Sequence, residues 1–357
     1  LATSYANLIN QIEQLLQDSG NAEFDTTELG DRFQQGLRYV ARYVPHIVRV
    51  PYFIESRTGS ATATAAGYLV DTGETQFIVA NDIGKVIRNL NDNTWAIVVT
   101  DGSNSTSKLK LSRDIMVSGE EYEMYNKECV SNKQINIEDV EDYLWVDKVE
   151  FPIGTERSFS LLGTILTLGI DFTPDDTNDA DAKKIVHVFF AKRHKVSQLT
   201  DLLGAVDLGA GYSEGDTTMT IDEITTDEIV EEDQEFTVAG MQEIYTVRAA
   251  VTISGSQADV TFYPGLEADV AEDAVVTFAL STFEGRYGRQ LEALFVDYVA
   301  AMAASSKATK YINAIPKGGP GVPGRFQSWA QLTLQRVQRD LMALADPPTS
   351  KVLTRAR

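Results

Sequence analysis

The residues able to do chemistry are few, and where they cluster they lack the neighbours that chemistry needs. Gly211-Tyr212-Ser213-Glu214-Gly215 has the spelling G-x-S-x-G, but a nucleophile elbow sits between a strand and a helix and is followed along the chain by its histidine. His46, His187 and His194 all precede it, so Ser213 reads as a turn residue. His187 and His194 are seven positions apart, a separation that puts them on opposite faces of a regular strand and argues against a shared metal. Gly319 and Gly324 have the spacing of the outer glycines of a P-loop. Arg325 and Phe326 follow, where Lys and then Ser or Thr must surround phosphate and Mg²⁺. The acidic runs DEITTDEIVEEDQE and PDDTNDADA lack the glycine and distal glutamate of an EF-hand loop. The expectation is a chain with no catalytic set, no cofactor and no metal, and therefore not an enzyme.

Charge narrows the partners. The formal net charge is −21 over 357 residues, which opposes binding to phosphates, because that depends on clustered Lys and Arg displacing counterions. The distribution is polar: residues 212–280 hold 16 acids against Arg248 alone, whereas residues 284–357 hold 11 Lys or Arg against 5 acids. Polarity on this scale can orient one subunit against the next. There is no run of 18 apolar residues and no basic-then-apolar leader in LATSYANLINQIEQ, so a soluble protein without a membrane partner is expected. Cys129 is the single cysteine, which rules out an internal disulfide and fits a packed thiol in a reducing compartment.

The elements that would position such surfaces are helical at the ends and β in the middle. Leu8, Ile9, Ile12, Leu15 and Leu16 have helical spacing. Asp25 and Glu28 resemble a capping box for a second helix carrying Leu29, Phe33, Leu37, Val40 and Val44, stopped by Pro45. A third helix is expected from Glu284 to about Ala314, with a small-residue run Ala301–Ala308 that admits a close neighbour. A fourth runs from about Gly324 to Leu344 and presents Phe326, Trp329, Leu334, Val337, Leu341 and Leu344, before Pro347 and Pro348 release an extended tail. Between them, alternating runs such as GETQFIVANDIGKVIR, TWAIVVT and KLKLSRDIM read as strands. GDTTMTIDEI resembles GETQFIVAND, and YTVRAAVTISGSQADVTF resembles WAIVVTDGSNSTSKLKL, so two related β modules are expected. The predicted fold class is α+β: terminal helices forming a discontinuous helical frame, a small central β-sheet, and two inserted β-barrel or sandwich-like modules. The boundaries are 1–57 for the N-terminal helices, 58–126 for the first β module and 127–204 for the central strands. They continue with 205–282 for the acidic β module, 283–345 for the C-terminal helical hairpin and 346–357 for the tail.

The N-terminal helical pair FDTTELGDRFQQGLRYVARYVPHIVRV, the strands VDKVEFPIG, LGTILTLGIDFTP and IVHVFFAKRH, and the C-terminal hairpin from GRQLEALFVDYVAAMAASSKATKYINAIPKGGPGVPGRF to QSWAQLTLQRVQRDLMAL together resemble the head-to-tail adaptor (connector or neck) proteins of tailed bacteriophages. The likeness covers about half the chain, judged on helix, proline-stop and small-residue patterns; the two β modules depart from the minimal helical adaptor. The resemblance implies a homo-oligomeric ring of about twelve copies, held between the phage portal protein and a downstream tail or neck protein. Genomic DNA would pass through it without specific binding. The location implied is the neck of the virion, after assembly in the bacterial cytoplasm. Partner binding is expected at the tail residues Lys351, Val352, Leu353, Arg355 and Arg357, and at Lys317 and Arg325 in the IPKGGPGVPGR connection, a shaped loop suited to touching a neighbour. Two other readings remain open: another phage tail or baseplate component, and a carbohydrate-binding host-attachment protein using Trp95, Tyr212 or Tyr263 to stack on sugars.

Overall fold

Ser4 opens the first helix, α1 (Tyr5–Leu16), by accepting the Asn7 N–H on its hydroxyl, and Asp25 opens α2 (Thr26–Val40) by accepting the Thr27 N–H at 2.7 Å. These caps satisfy amides that have no partner inside a helix. The computed structural model describes residues 3–18, 23–79, 81–171, 185–225, 228–283, 288–310 and 322–345. It is a mixed helix-and-strand protein in which the described residues form four helices, many strands and a closed six-stranded barrel. The chain divides into two compact units, Leu1–Ile47 with Ala191–Arg357, and Val48–Phe190.

In the first unit, α1, α2, α3 (Gly288–Lys310) and α4 (Val322–Leu344) contribute to one apolar core. Leu29, Phe33, Leu37 and Val40 are buried from α2, as their spacing predicts. Gly36 explains how α2 reaches α3: a Cβ there would lie 2.7 Å from Val299 Cγ2 and 2.8 Å from Phe295 Cε2. Burial of α3 extends around much of its circumference, through Phe295, Val299, Ala300, Ala301, Ala303 and Ala304, the pattern of a helix with neighbours on several sides. The flanks of the expected third helix, 284–287 and 311–314, lie outside the described residues. On α4 the buried stripe is Ala330, Thr333, Val337, Leu341 and Leu344, while Trp329 is 38 % exposed. Of the apolar residues the sequence places on this helix, Trp329 thus falls outside the buried stripe: at 3.6 residues per turn it lies about 100° away from Ala330, and the small side chain takes the inward position.

The second unit begins in β1 (His46–Phe53) and contains β2 (Thr58–Ser60), β3 (Tyr68–Val70), β4 (Val86–Asn89), β5 (Trp95–Ile97), β6 (Lys108–Lys110) and β7 (Glu121–Tyr125). After these come β8 (Gln134–Asn136), β9 (Trp145–Glu150), β10 (Glu156–Arg157), β11 (Phe159–Leu162), β12 (Ile165–Leu168) and β13 (Ile185–Lys192). The sheets run β1-β13-β9-β10, β11-β12-β8, β2-β7-β4-β5 and β3-β6. Returning to the first unit, the closed barrel is ordered β14-β15-β20-β18-β17-β21, where β14 is Leu203–Val206, β15 Thr218–Asp222, β17 Glu235–Val238, β18 Tyr245–Val247, β20 Ala258–Tyr263 and β21 Val275–Phe278. A short side pair joins β16 (Ile229–Val230) to β19 (Val251–Thr252).

The module of residues 58–125 repeats this barrel. Its order β2-β7-β4-β5 matches β14-β21-β17-β18, and β3-β6 matches β15-β20. The remaining seams are joined by the bridge Val98↔Leu111 and by hydrogen bonds from Thr62 N and Oγ1 to the Val70 carbonyl at 2.7 and 3.3 Å. The registers agree position by position. Gly59↔Tyr122 corresponds to Gly204↔Val276, Ile87↔Met124 to Phe236↔Phe278, and Leu69↔Leu109 to Met219↔Val260. Even the left-handed turn before the third strand is shared, by Gly84 at φ 89° and Asp233 at φ 61°, whose N–H groups bond the equivalent carbonyls of Val98 and Val247 at 2.9 Å.

This register corrects the expected alignment. With Leu69 opposite Met219 in the comparison, GDTTMTIDEI lies over the β3 segment rather than over GETQFIVAND, and Tyr245 corresponds to Ala96 rather than Trp95. GETQFIVAND forms no strand among its described residues; its chain wraps back so that Ile78 N–H bonds Asp82 at 2.8 Å. A strand's two-residue period allows several registers, and backbone pairing selects one.

Candidate partner-binding surface

Much of the titratable chemistry inside both units is engaged within the chain. Before β2, the Arg57 guanidinium, 2 % exposed, meets Glu55 Oε2 at 2.7 Å and Asp82 Oδ1 at 2.5 Å, and Lys85 Nζ reaches the same two carboxylates at 2.6 and 2.9 Å. Burial pushes the Glu55 carboxyl up, but Arg57 and Lys85 outweigh it and hold it at about 2. In the same module Tyr122 donates to Asp71 at 2.8 Å, and Asn89 donates to Glu120 and to the Ile115 carbonyl. These are satisfied core networks in which each polar group's partner offsets the cost of its burial.

In the other unit, the segment 192–200 that leads into the closed barrel is held by that barrel's acids. Lys192 pairs with Asp233 and donates to the Tyr263 hydroxyl at 2.7 Å, Lys195 pairs with Glu231 at 2.6 Å, and Thr200 donates to Glu228. His46 meets Glu235 at 2.6 Å. His194 bonds the Val44 carbonyl through Nε2 at 2.8 Å and Thr282 Oγ1 through Nδ1 at 3.0 Å. Its burial, with His46 beside it, lowers its pKa to about 4 against the two hydrogen bonds. Within DEITTDEIVEEDQE, Glu228, Glu231 and Asp233 thus clasp the 192–200 segment. PDDTNDADA lies outside the described residues, among which no group of three His, Cys, Asp or Glu is placed to hold a metal. His187 is buried beside Phe189, and Cys129 is buried with its thiol pushed up to about 12 by burial and by Glu128. Ser213 N–H bonds Asp216 in a turn at 2.9 Å.

The aromatics weighed for sugar stacking are also occupied. Trp95 stacks on Tyr125 at 5.6 Å with Arg88 at 5.2 Å from its ring; Tyr212 accepts the Thr220 N–H; Tyr263 is buried under Lys192. Open depressions run along α2, such as the one lined by Gln35, Arg38, Tyr39, Arg42 and Tyr298.

The outer face of α4 lies unpacked. Arg325, Trp329, Leu332, Arg336 and Arg339 follow a four-three-four-three spacing that keeps them on one side of the helix. Leu332 is 69 % exposed, and Arg336 is bridged to Asp297 at 2.7 Å. Of the residues predicted to bind partners, Arg325 is described, exposed in the first turn of α4; Lys317, Lys351, Val352, Leu353, Arg355 and Arg357 lie outside the described residues. Sequence reading missed Leu332 and Arg339 because it followed only the apolar stripe toward the core. The signal that would have found them is the second stripe, on the opposite face. No helix among the described residues is long and apolar enough to cross a membrane. No protein-family model matches the chain, and no curated protein matches it.

Proposed function

We propose that this chain is a structural assembly subunit, and specifically a head-to-tail adaptor that forms a ring between the portal and tail of a tailed bacteriophage. In this reading the terminal helices are the frame, and the two duplicated barrels are decorations carried by it. The observation that carries the proposal is the outer face of α4, where Trp329 and Leu332 stand exposed among arginines on a helix whose opposite face is fully used in the core. A large apolar side chain held on a rigid helix, ringed by polar groups, is the usual form of a protein contact. The resemblance seen in the helical ends supplies the phage context, the portal and tail partners, and a channel through which DNA passes.

The test is to measure the mass of the purified protein over a range of concentrations, alone and with isolated portal rings, and to image the products. Closed rings and portal-ring complexes are expected. A chain that stays monomeric throughout and attaches to no portal would overturn the assignment.

A further inference from the structure

We infer that the outer face of α4 receives the acidic loop ribbon of the closed barrel of a second copy, so that each subunit joins the next head to tail. The inference rests on the ring reading and names the contact that builds the ring.

The ribbon is an ordered structure rather than a loose group of acids. Tyr212 and Val270 exchange backbone hydrogen bonds at 2.9 and 2.8 Å, Gly215 N–H bonds Leu266 at 2.8 Å and Leu266 N–H bonds Asp216 at 2.9 Å. The two loops lie so close that a Cβ on Gly211 would fall 2.1 Å from the Val270 carbonyl oxygen, and one on Gly265 would fall 2.6 Å from that of Gly215. Glu214 N–H bonds Asp269 Oδ1 at 2.9 Å across the ribbon. Its outer surface presents Glu214, Glu267, Asp269, Glu272 and Asp273, all exposed, beside Leu208 at 43 % exposure. Arg248 is the single basic residue between positions 196 and 285.

The α4 face has the complementary chemistry: Arg325, and Arg339, which touches Asp340 through Nε at 3.1 Å but stays 76 % exposed, for the carboxylates, and Trp329 and Leu332 for an apolar neighbour such as Leu208. Opposed patches of this kind steer encounter and fix register. The net charge of −21 disfavours a polyanion such as DNA as the occupant of α4. The chain's own tail carries Lys351, Arg355 and Arg357, the same sign as the face, and is disfavoured equally. A second copy supplies the opposite sign. Because donor and acceptor surfaces differ, the contact is heterologous, and repetition closes a ring when the rotation between subunits allows.

The experiment compares four forms of the full chain by native mass spectrometry and light scattering at low and high salt: wild type, R325E/R339E, E214K/E272K/D273K, and all five substitutions together. Each reversed face alone is expected to raise the concentration for half-assembly by about tenfold or more, and the combined chain to regain assembly through the swapped charges. Leu332→Gln, at an exposed position, is expected to weaken assembly with an unchanged circular dichroism spectrum. A wild type that is monomeric at every concentration overturns the ring reading and this contact together. A wild-type ring that R325E/R339E leaves intact, or that the combined chain fails to restore, overturns this contact alone. Duplex DNA retained by wild type and released by R325E/R339E, with rings unaffected, also overturns it.

Discussion

Where the first barrel buries Asp71, the second buries Ile221; where the first places Tyr122 and Asn89, the second places Val276 and Val238; and the Arg57 position is taken by Leu202. The backbone registers are the same, so the two modules are one scaffold filled with two kinds of interior. In the second, Phe236 packs against Tyr245 and Phe262 at 5.4 Å and against Phe278 at 5.8 Å. In the first, the smaller core of Ala61, Leu69, Ile87, Ala96 and Leu109 surrounds a hydroxyl, amides and an ion cluster. Six antiparallel strands require a set of backbone pairings and an inward alternation, and either chemistry satisfies them if every buried polar group is partnered. What differs is fragility: an apolar interior loses stability in proportion to volume removed, whereas a polar one fails when a single partner is lost.

The sharpest way to break that contrast is at Arg57. Arg57→Leu copies the residue of the second barrel into the first, but removes the guanidinium that meets Glu55 and Asp82 and leaves Lys85 as the cation beside them. A loss of about 3–5 kcal/mol is expected in urea unfolding, with hydrogen-exchange protection falling in residues 58–125 and holding in 203–278. Removing Glu55 and Asp82 as well, as Glu55→Gln and Asp82→Leu, should recover most of it. A single substitution that costs no more than a surface change would show that the cluster is not a unit.

Acid separates the regions by pH. His194 is held neutral in the fold at about 4 against 6.5 when free. Between these values the unfolded chain binds a proton that the folded chain refuses, so stability falls as pH drops from 6.5 toward 4, by on the order of 3 kcal/mol. Glu55, held at about 2 against 4.5, contributes stability above 4.5 that is lost only as pH falls from there toward 2. The junction of helices and closed barrel should therefore loosen before the first barrel does, as read by exchange protection along a pH series. His194→Gln should flatten the upper window, and loss of both regions at one pH would contradict the ordering.

A smaller effect is expected at Tyr122→Phe, which deletes the donor to Asp71 and should cost about 1–3 kcal/mol. The pair Tyr122→Val with Asp71→Ile, borrowed from the second barrel, should cost less than the sum of the two singles when the cycle is completed by thermal unfolding. Smallest of all is Gly84→Asp, which imports the residue found at the same left-handed turn in the second barrel and should cost about 1 kcal/mol or less. Gly84→Val, branched at Cβ, should cost more. Equal melting temperatures for the two variants would mean that the turn relaxes.

Local pattern was enough for the helix faces and caps, and it pointed to a repeat but in the wrong register. Periodicity and caps placed Leu29, Phe33, Leu37 and Val40 on the buried side of α2 and Asp25 at its start, because a helix's face and its unpaired amides are local properties. Charge counting located the acidic module and the basic C-terminal region from residue types alone. Which acids act where came from long-range packing: Glu231, Asp233 and Glu235 turn to Lys195, Lys192 and His46, while Glu267, Asp269 and Glu272 remain at the surface. That packing also decided that Trp329 points away from the core and that Gly59 and Gly204 are equivalent. The reason is that a carboxylate's partner and a strand's register are set by segments tens to hundreds of residues away. Pairing between distant segments leaves no period in the local sequence to read.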